Sequence, residues 1–215
     1  LVQQQKTSDT GTTDIYRIKV RENETETFGG WRFGFGYQYG GAYGGGLRVR
    51  KIITWGSHKT QNYSQAFQRA DLNKAGFTNT LPVDANGKVT KPTWITSITS
   101  FSQAFRQANL PGNTDFSNWS SGLAATDLSL MFNGNTNFIG NGLANWNVTK
   151  VTNISSFLSG TAFNSSIAGW DLQSCTNAAG LFASTPFNHP SISNLNLHNI
   201  TSINSMFEGC TAFNQ

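Results

Sequence analysis

Reactive side chains are few and scattered in this chain. His58, His189 and His198 fall in three different repeat units and lack the spacing of metal ligands. His189 precedes Pro190, a context expected of a surface turn. Asp115, Asp127, Asp171 and Glu208 come singly, one to a unit, so no carboxylate pair is placed along the chain for acid–base hydrolysis. Contact between carboxylates of stacked units is the remaining route to a carbohydrate-active enzyme, the weakest of the functions considered. Cys175 and Cys210 are too few for a disulfide framework and sit at apolar repeat positions, which predicts buried thiols. The loop Gly40-Gly41-Ala42-Tyr43-Gly44-Gly45-Gly46 lacks the Lys-Ser/Thr ending of a phosphate-binding loop. Asp84 and Asn86 offer too few oxygens for calcium, and Asn86-Gly87 reads as a hairpin turn inside Val83–Val89. The expectation is a protein with no catalytic residue, no cofactor and no metal.

What must be positioned is therefore a surface. Of 215 residues, 12% are charged, against about 25% in average globular chains. The polar positions carry short hydrogen-bonding groups instead, 23 Asn and 45 Ser plus Thr. The 16 Phe and 6 Trp supply a core and argue against wholesale disorder. The net charge of +4 is unevenly placed: residues 1–93 hold 13 Lys/Arg and 7 Asp/Glu, residues 94–215 hold 2 and 4. The basic residues are scattered through strand-like segments with no reading motif, so nucleic acid is not an expected partner. No apolar run approaches the ~20 residues of a membrane span, and no membrane insertion is expected.

Three apolar series run in one phase. Trp94, Trp119, Trp146, Trp170 and Leu195 are spaced by 25, 27, 24 and 25 residues. Phe105, Phe132, Leu158, Phe182 and Phe207 follow at 27, 26, 24 and 25, and Phe138, Phe163, Phe187 and Phe213 form the third. Within a unit, Asn145-Trp146-Asn147-Val148 alternates as a short strand should. A Thr follows in each unit (Thr99, Thr126, Thr152, Thr176, Thr201), placed to cap an i, i+3, i+4 apolar face such as Leu128, Met131, Phe132. Gly134, Gly160 and Gly209 close that predicted short helix. Each unit cannot bury its apolar face alone, so the units must stack.

The expected architecture is a leucine-rich-repeat-like repeat solenoid, one short parallel strand plus a short helix per ~25-residue coil, with a small β-rich N-terminal cap. Residues 1–13 read as a flexible lead-in and 14–56 as the cap, where Tyr16, Ile18 and Val20 alternate as a strand. In the cap, Trp31, Phe33, Phe35, Tyr37 and Tyr39 form an aromatic stripe. Residues 57–93 read as a degenerate first coil with a hairpin insertion, because Tyr63–Leu72 resembles Phe101–Leu110. Residues 94–215 form the solenoid, which breaks off within a repeat at Phe213-Asn214-Gln215 and so reads as part of a longer chain.

The repeat resembles that of the BspA-type leucine-rich-repeat surface proteins, whose units look like W-[DN]-V-x-x-V-T-x-M-x-x-M-F-x-G-x-x-x-F-N-Q. Trp146-Asn147-Val148-Thr149-Lys150-Val151-Thr152-Asn153-Ile154 carries the first half. Ser205-Met206-Phe207-Glu208-Gly209-Cys210-Thr211-Ala212-Phe213-Asn214-Gln215 carries the second. Lys51-Ile52-Ile53-Thr54-Trp55-Gly56 and Ala66-Phe67 resemble the segment that precedes such repeats. The resemblance departs at Ser120-Ser121-Gly122, which lengthens one unit, and at Leu158 and Leu195. It implies a bacterial or protist surface protein, or a phage fibre or decoration protein, and brings no catalytic motif.

The expected function is non-catalytic attachment to a cell-surface glycan or protein, extracellular, on a cell surface or virion. The alternative is a purely structural subunit of a filament, coat or virion, paired with copies of itself or with other subunits. Candidate binding residues are Trp31, Tyr37 and Tyr39 on the aromatic stripe, and Asn147, Lys150, Asn196 and Asn199 beside the strands. Seven Asn-x-Ser/Thr sequons begin at Asn23, Asn62, Asn118, Asn147, Asn153, Asn164 and Asn199. Composition alone accounts for about five.

Overall fold

The computed structural model describes residues 2–7, 15–20, 63–64, 66–68, 72, 81–93, 95–121 and 123–215. Strand β1 (Val2–Thr7) pairs antiparallel with β2 (Ile15–Val20), in a register running from Val2↔Val20 to Thr7↔Ile15. The lead-in expected over residues 1–13 thus contains a strand: Val2–Thr7 has no Gly or Pro to interrupt a ladder, and a full-length partner lies close in sequence. The strand expected around Tyr16, Ile18 and Val20 is β2. The aromatic stripe, Trp55, His58 and Trp94 lie outside the described residues.

From Tyr63 onward, successive units lie side by side in parallel register. Single-residue parallel bridges join Ser100 to Asp127, Asp127 to Asn153, Asn153 to Asn177 and Asn177 to Ser202. A second row joins Lys88 to Asp115 and Asp115 to Asn141. The early unit takes the expected place, with N–H groups of Tyr63, Phe67 and Leu72 donating to the carbonyls of Ser100, Ala104 and Ala108. The inserted hairpin is also present: Val83 bridges Val89 antiparallel, and Gly87 has φ +76°.

The segment read as a short helix is not one. The described residues contain no α-helix, only 3-10 turns at Ile95–Ser97, Ser117–Trp119, Leu143–Asn145 and Pro190–Asn194. Leu128, Leu130, Phe132 and Gly134 send their N–H groups to the next unit, to the carbonyls of Asn153, Ser155, Phe157 and Ser159 at 2.8–3.1 Å. Met131, Asn133 and Asn135 donate locally, to Leu128, Leu130 and Phe132, at 3.1–3.2 Å. Alternate amides therefore bond between units, and those in between close three-residue turns. Such turns repeat at nearly the same spacing as a helical face, which is why the apolar pattern mimics a helix. They satisfy the backbone by stacking rather than by i→i−4 bonds.

These turns require left-handed residues at fixed places. One column is Gln103, Leu130, Ser156, Gly180 and Ser205, with φ between +52° and +63°. The other is Gln107, Gly134, Gly160, Ser184 and Gly209, with φ between +53° and +75°. The expected left-handed role of Gly134, Gly160 and Gly209 is met, though they close turns rather than helices.

The repeat Thr residues also play a different part. Thr126, Thr152, Thr176 and Thr201 each send both N–H and Oγ1–H back to the carbonyl of the Thr one unit earlier. The cap acceptors are their neighbours: Oδ1 of Asp127, Asn153 and Asn177 takes the N–H two residues on. The Thr offers its hydroxyl along the stack, leaving the cap to the longer Asx side chain that follows.

The buried side chains form one continuous core, with Trp119, Trp146, Phe105, Phe132, Phe138, Phe163, Phe182 and Phe187 fully buried. Phe67, Phe105 and Phe132 stack in a row at centroid distances of 5.4 and 5.8 Å.

Candidate recognition surface

Asn147, Asp171 and Asn196 each follow the apolar residue of the first series (Trp146, Trp170, Leu195) and stand at one position on three consecutive units. All three are exposed; the residue after the first two, Val148 or Leu172, is fully buried, whereas Leu197 after Asn196 is 38% exposed. Each uses Oδ1 to hold its own turn, taking the N–H of Thr149 (3.2 Å), Gln173 (3.0 Å) and His198 (3.0 Å) respectively. Oδ1 of Asn147 also accepts the Thr149 hydroxyl at 2.7 Å. Alternation around a buried residue turns Asn147 and Asp171 outward, and in all three the local hydrogen bond fixes the rotamer.

Three positions further on stand Lys150, Ser174 and Asn199, again exposed on successive units. Asn199 donates from Nδ2 to the Gln173 carbonyl at 2.6 Å, tying one unit to the previous one. The exposed Thr152, Thr176 and Thr201 lie two residues beyond. The structure thus brings Asn147, Lys150, Asn196 and Asn199 onto one edge of the stack. Sequence reasoning passed over Asp171, Gln173 and Ser174 between them. Their signal was the fixed offset from Trp170. Trp31, Tyr37 and Tyr39 lie outside the described residues.

The edge is an amide and hydroxyl surface carrying one cation, Lys150, and one anion, Asp171. It can offer and accept hydrogen bonds over three units. Among the described residues, no three His, Cys, Asp or Glu side chains converge to hold a metal. A shallow cavity between the hairpin and Pro111–Thr114 has about 90 Å³, well below the ~300 Å³ at which small-molecule sites begin. No helix among the described residues is long and apolar enough to cross a membrane.

Cys175 and Cys210 are free and buried, as their repeat positions predict. Burial pushes the Cys175 thiol above its ordinary range. His189 caps the turn at Pro190–Asn194, its Nδ1 accepting the Ser191 N–H at 3.2 Å.

These features define a repeat protein with polar edges. Residues 96–215 match the family described as Mycoplasma protein of unknown function, DUF285, and the chain belongs to that family. No curated protein and no solved structure matches it.

Proposed function

We propose that the protein is a non-catalytic, extracellular attachment protein of a cell surface or virion, built as a leucine-rich-repeat-like solenoid of the BspA type. The observation that carries this reading is the recurrence of Asn147, Asp171 and Asn196, and of Lys150, Ser174 and Asn199, at matched exposed positions on three successive units. A row of polar groups repeated once per unit suits a chain-like partner, a glycan or an extended peptide, engaged at several points together. The low charge of residues 94–215 favours an uncharged partner over a polyanion. The parallel bridges and stacked rings support the solenoid part of the proposal.

Binding of labelled protein to intact cells, before and after enzymatic removal of surface glycans, tests it. Saturable binding that vanishes with the glycans, and falls at least about tenfold in the N147D/K150A/N196D variant, which keeps each turn-holding Oδ1 as Asp171 does, at unchanged melting temperature, is the expected result. Well-folded protein that binds no cell type would overturn attachment in favour of a structural coat role.

A further inference from the structure

The chain contains three Asn-Gly pairs, Asn86-Gly87, Asn133-Gly134 and Asn141-Gly142. Asn-Gly is the dipeptide most prone to spontaneous loss of ammonia, because glycine leaves its backbone nitrogen free to approach the asparagine side chain. We propose that Asn86 is a site of spontaneous deamidation and isomerisation, which releases the inserted hairpin, and that the fold shields the other two pairs.

The three environments differ. Asn86 and Gly87 are both exposed at the hairpin tip, and nothing lies within 4 Å of where a Gly87 side chain would point. The side-chain amide of Asn86 has no partner among the described residues. Its neighbour's N–H makes a single bond, to the Asp84 carbonyl at 3.0 Å. Asn133 is held at both ends: Nδ2 donates to the Ser159 carbonyl and Oδ1 accepts from Arg106 Nε. Gly134 donates its N–H to the same Ser159 carbonyl at 2.8 Å. Around Gly142, a β-carbon would come within 2.2 Å of the Ser117 backbone nitrogen and 2.7 Å of Asp115 Oδ1, so that peptide has no room to rotate. Asn141 is itself fixed by its bridge to Asp115.

The chemistry needs only water. The deprotonated Gly87 nitrogen attacks Cγ of Asn86, the Cγ–Nδ2 bond breaks and ammonia leaves, closing a five-membered succinimide. Water then opens the ring at either carbonyl. One route gives aspartate, the other an isoaspartate whose backbone runs through Cβ and is one methylene longer. Both products add a negative charge two residues from Asp84.

That place is sensitive. Oδ1 of Asp84 accepts the N–H groups of Asn86 (2.8 Å) and Lys88 (3.1 Å), and Oδ2 accepts from Asn118 Nδ2 at 2.9 Å. The hairpin then reaches the stack through Val89 N–H to the Asp115 carbonyl (2.7 Å) and Trp119 Nε1–H to the Thr90 carbonyl (3.0 Å). A longer backbone at residue 86 misaligns both bonds inside the turn, and a second carboxylate repels the first.

Peptide mapping by mass spectrometry during incubation at mildly alkaline pH tests the proposal, on native protein and on protein in guanidinium. In the native protein Asn86 should convert at least about tenfold faster than Asn133 or Asn141, since the latter two must first open bonds between units. In guanidinium the three should convert at comparable rates. Native conversion of Asn133 or Asn141 as fast as Asn86 would overturn the proposal, and so would an Asn86 that reacts only when unfolded. Asn86→Ser, which keeps the turn, should abolish the product and hold the hairpin's proteolytic resistance constant over the incubation, while the unsubstituted protein loses it.

Discussion

Trp119 and Trp146 lie one above the other, ring centroids 6.2 Å apart and planes 11° from parallel. Each indole donates its Nε1–H backwards, to the Thr90 carbonyl at 3.0 Å and the Phe116 carbonyl at 3.2 Å. Trp170 repeats the pattern on the Leu143 carbonyl at 2.8 Å. The series therefore fixes unit-to-unit register as well as filling volume. Trp146→Phe removes the donor and also leaves a void where the second ring lay in a fully buried site, and should cost more than the ~1–3 kcal/mol of a stranded buried acceptor alone, read in a denaturant titration. An unchanged midpoint would mean that the indole bond contributes nothing to register.

Phe182 is packed between Phe163, Phe187 and Phe207, with centroids at 6.0, 4.1 and 5.7 Å and planes within 15° of parallel. Phe182→Ala empties a fully buried site that neighbouring units cannot close without losing their own stacking. The expected loss is about 3–5 kcal/mol. A variant that kept full stability while losing cell binding would move this ring from core to recognition site.

The apolar series, the unit length and the hairpin insertion were legible in the sequence because burial depends on side-chain type and spacing. The local backbone was not. Leu128, Met131 and Phe132 fit a helix and a run of turns equally well, and what decides is whether an alternate amide finds its acceptor about 25 residues away. The left-handed column is equally hidden, since Gln103, Leu130, Ser156 and Ser205 are ordinary residues held there by their neighbours above and below. Of the recognition edge, Asn147, Lys150, Asn196 and Asn199 could be read from repeat phase, whereas Asp171 was read as an isolated acid.

That column makes a prediction of its own. A non-glycine residue at positive φ costs about 1–2 kcal/mol, part of which glycine returns through its freer unfolded chain. Ser156 has φ +52° and no side-chain hydrogen bond of its own among the described residues. Ser156→Gly should therefore raise stability by roughly 0.5–1 kcal/mol, read as a higher urea midpoint at unchanged slope. A lower midpoint would show that the left-handed backbone there carries no strain.

Two threonines separate exposed from buried hydroxyls. Thr152 is exposed and donates to the Thr126 carbonyl, which also holds the N–H groups of Thr152 and Asn153. Thr161 is buried; its Oγ1 donates to the Leu158 carbonyl at 2.7 Å and accepts the Phe163 N–H at 3.4 Å. Thr152→Val should change stability by less than about 0.5 kcal/mol. Thr161→Val strands a buried amide and should cost about 1–3 kcal/mol. Equal effects would mean that the Thr row along the exposed edge holds the units together as firmly as the core does.

Asp84 gives the hairpin its pH dependence. Hydrogen bonds from the Asn118 side chain and the Lys88 backbone hold its carboxyl below the ordinary value of 3.8, against a smaller opposing effect of desolvation. A depressed folded-state pKa means that the carboxylate's contribution is fully present above the unfolded pKa and is lost as pH falls through the folded one. The hairpin should therefore hold through mildly acidic conditions and loosen only below pH ~3.8, beginning where free aspartate protonates. Asn118→Ala removes the largest cause and should move the Asp84 titration upward toward the ordinary value, measured by carboxyl NMR. The loosening, followed by proteolysis within residues 84–88, should move up with it. If the titration shifts and the loosening does not, the hairpin is held by its bond to the Asp115 carbonyl instead, and the carboxylate is incidental to it.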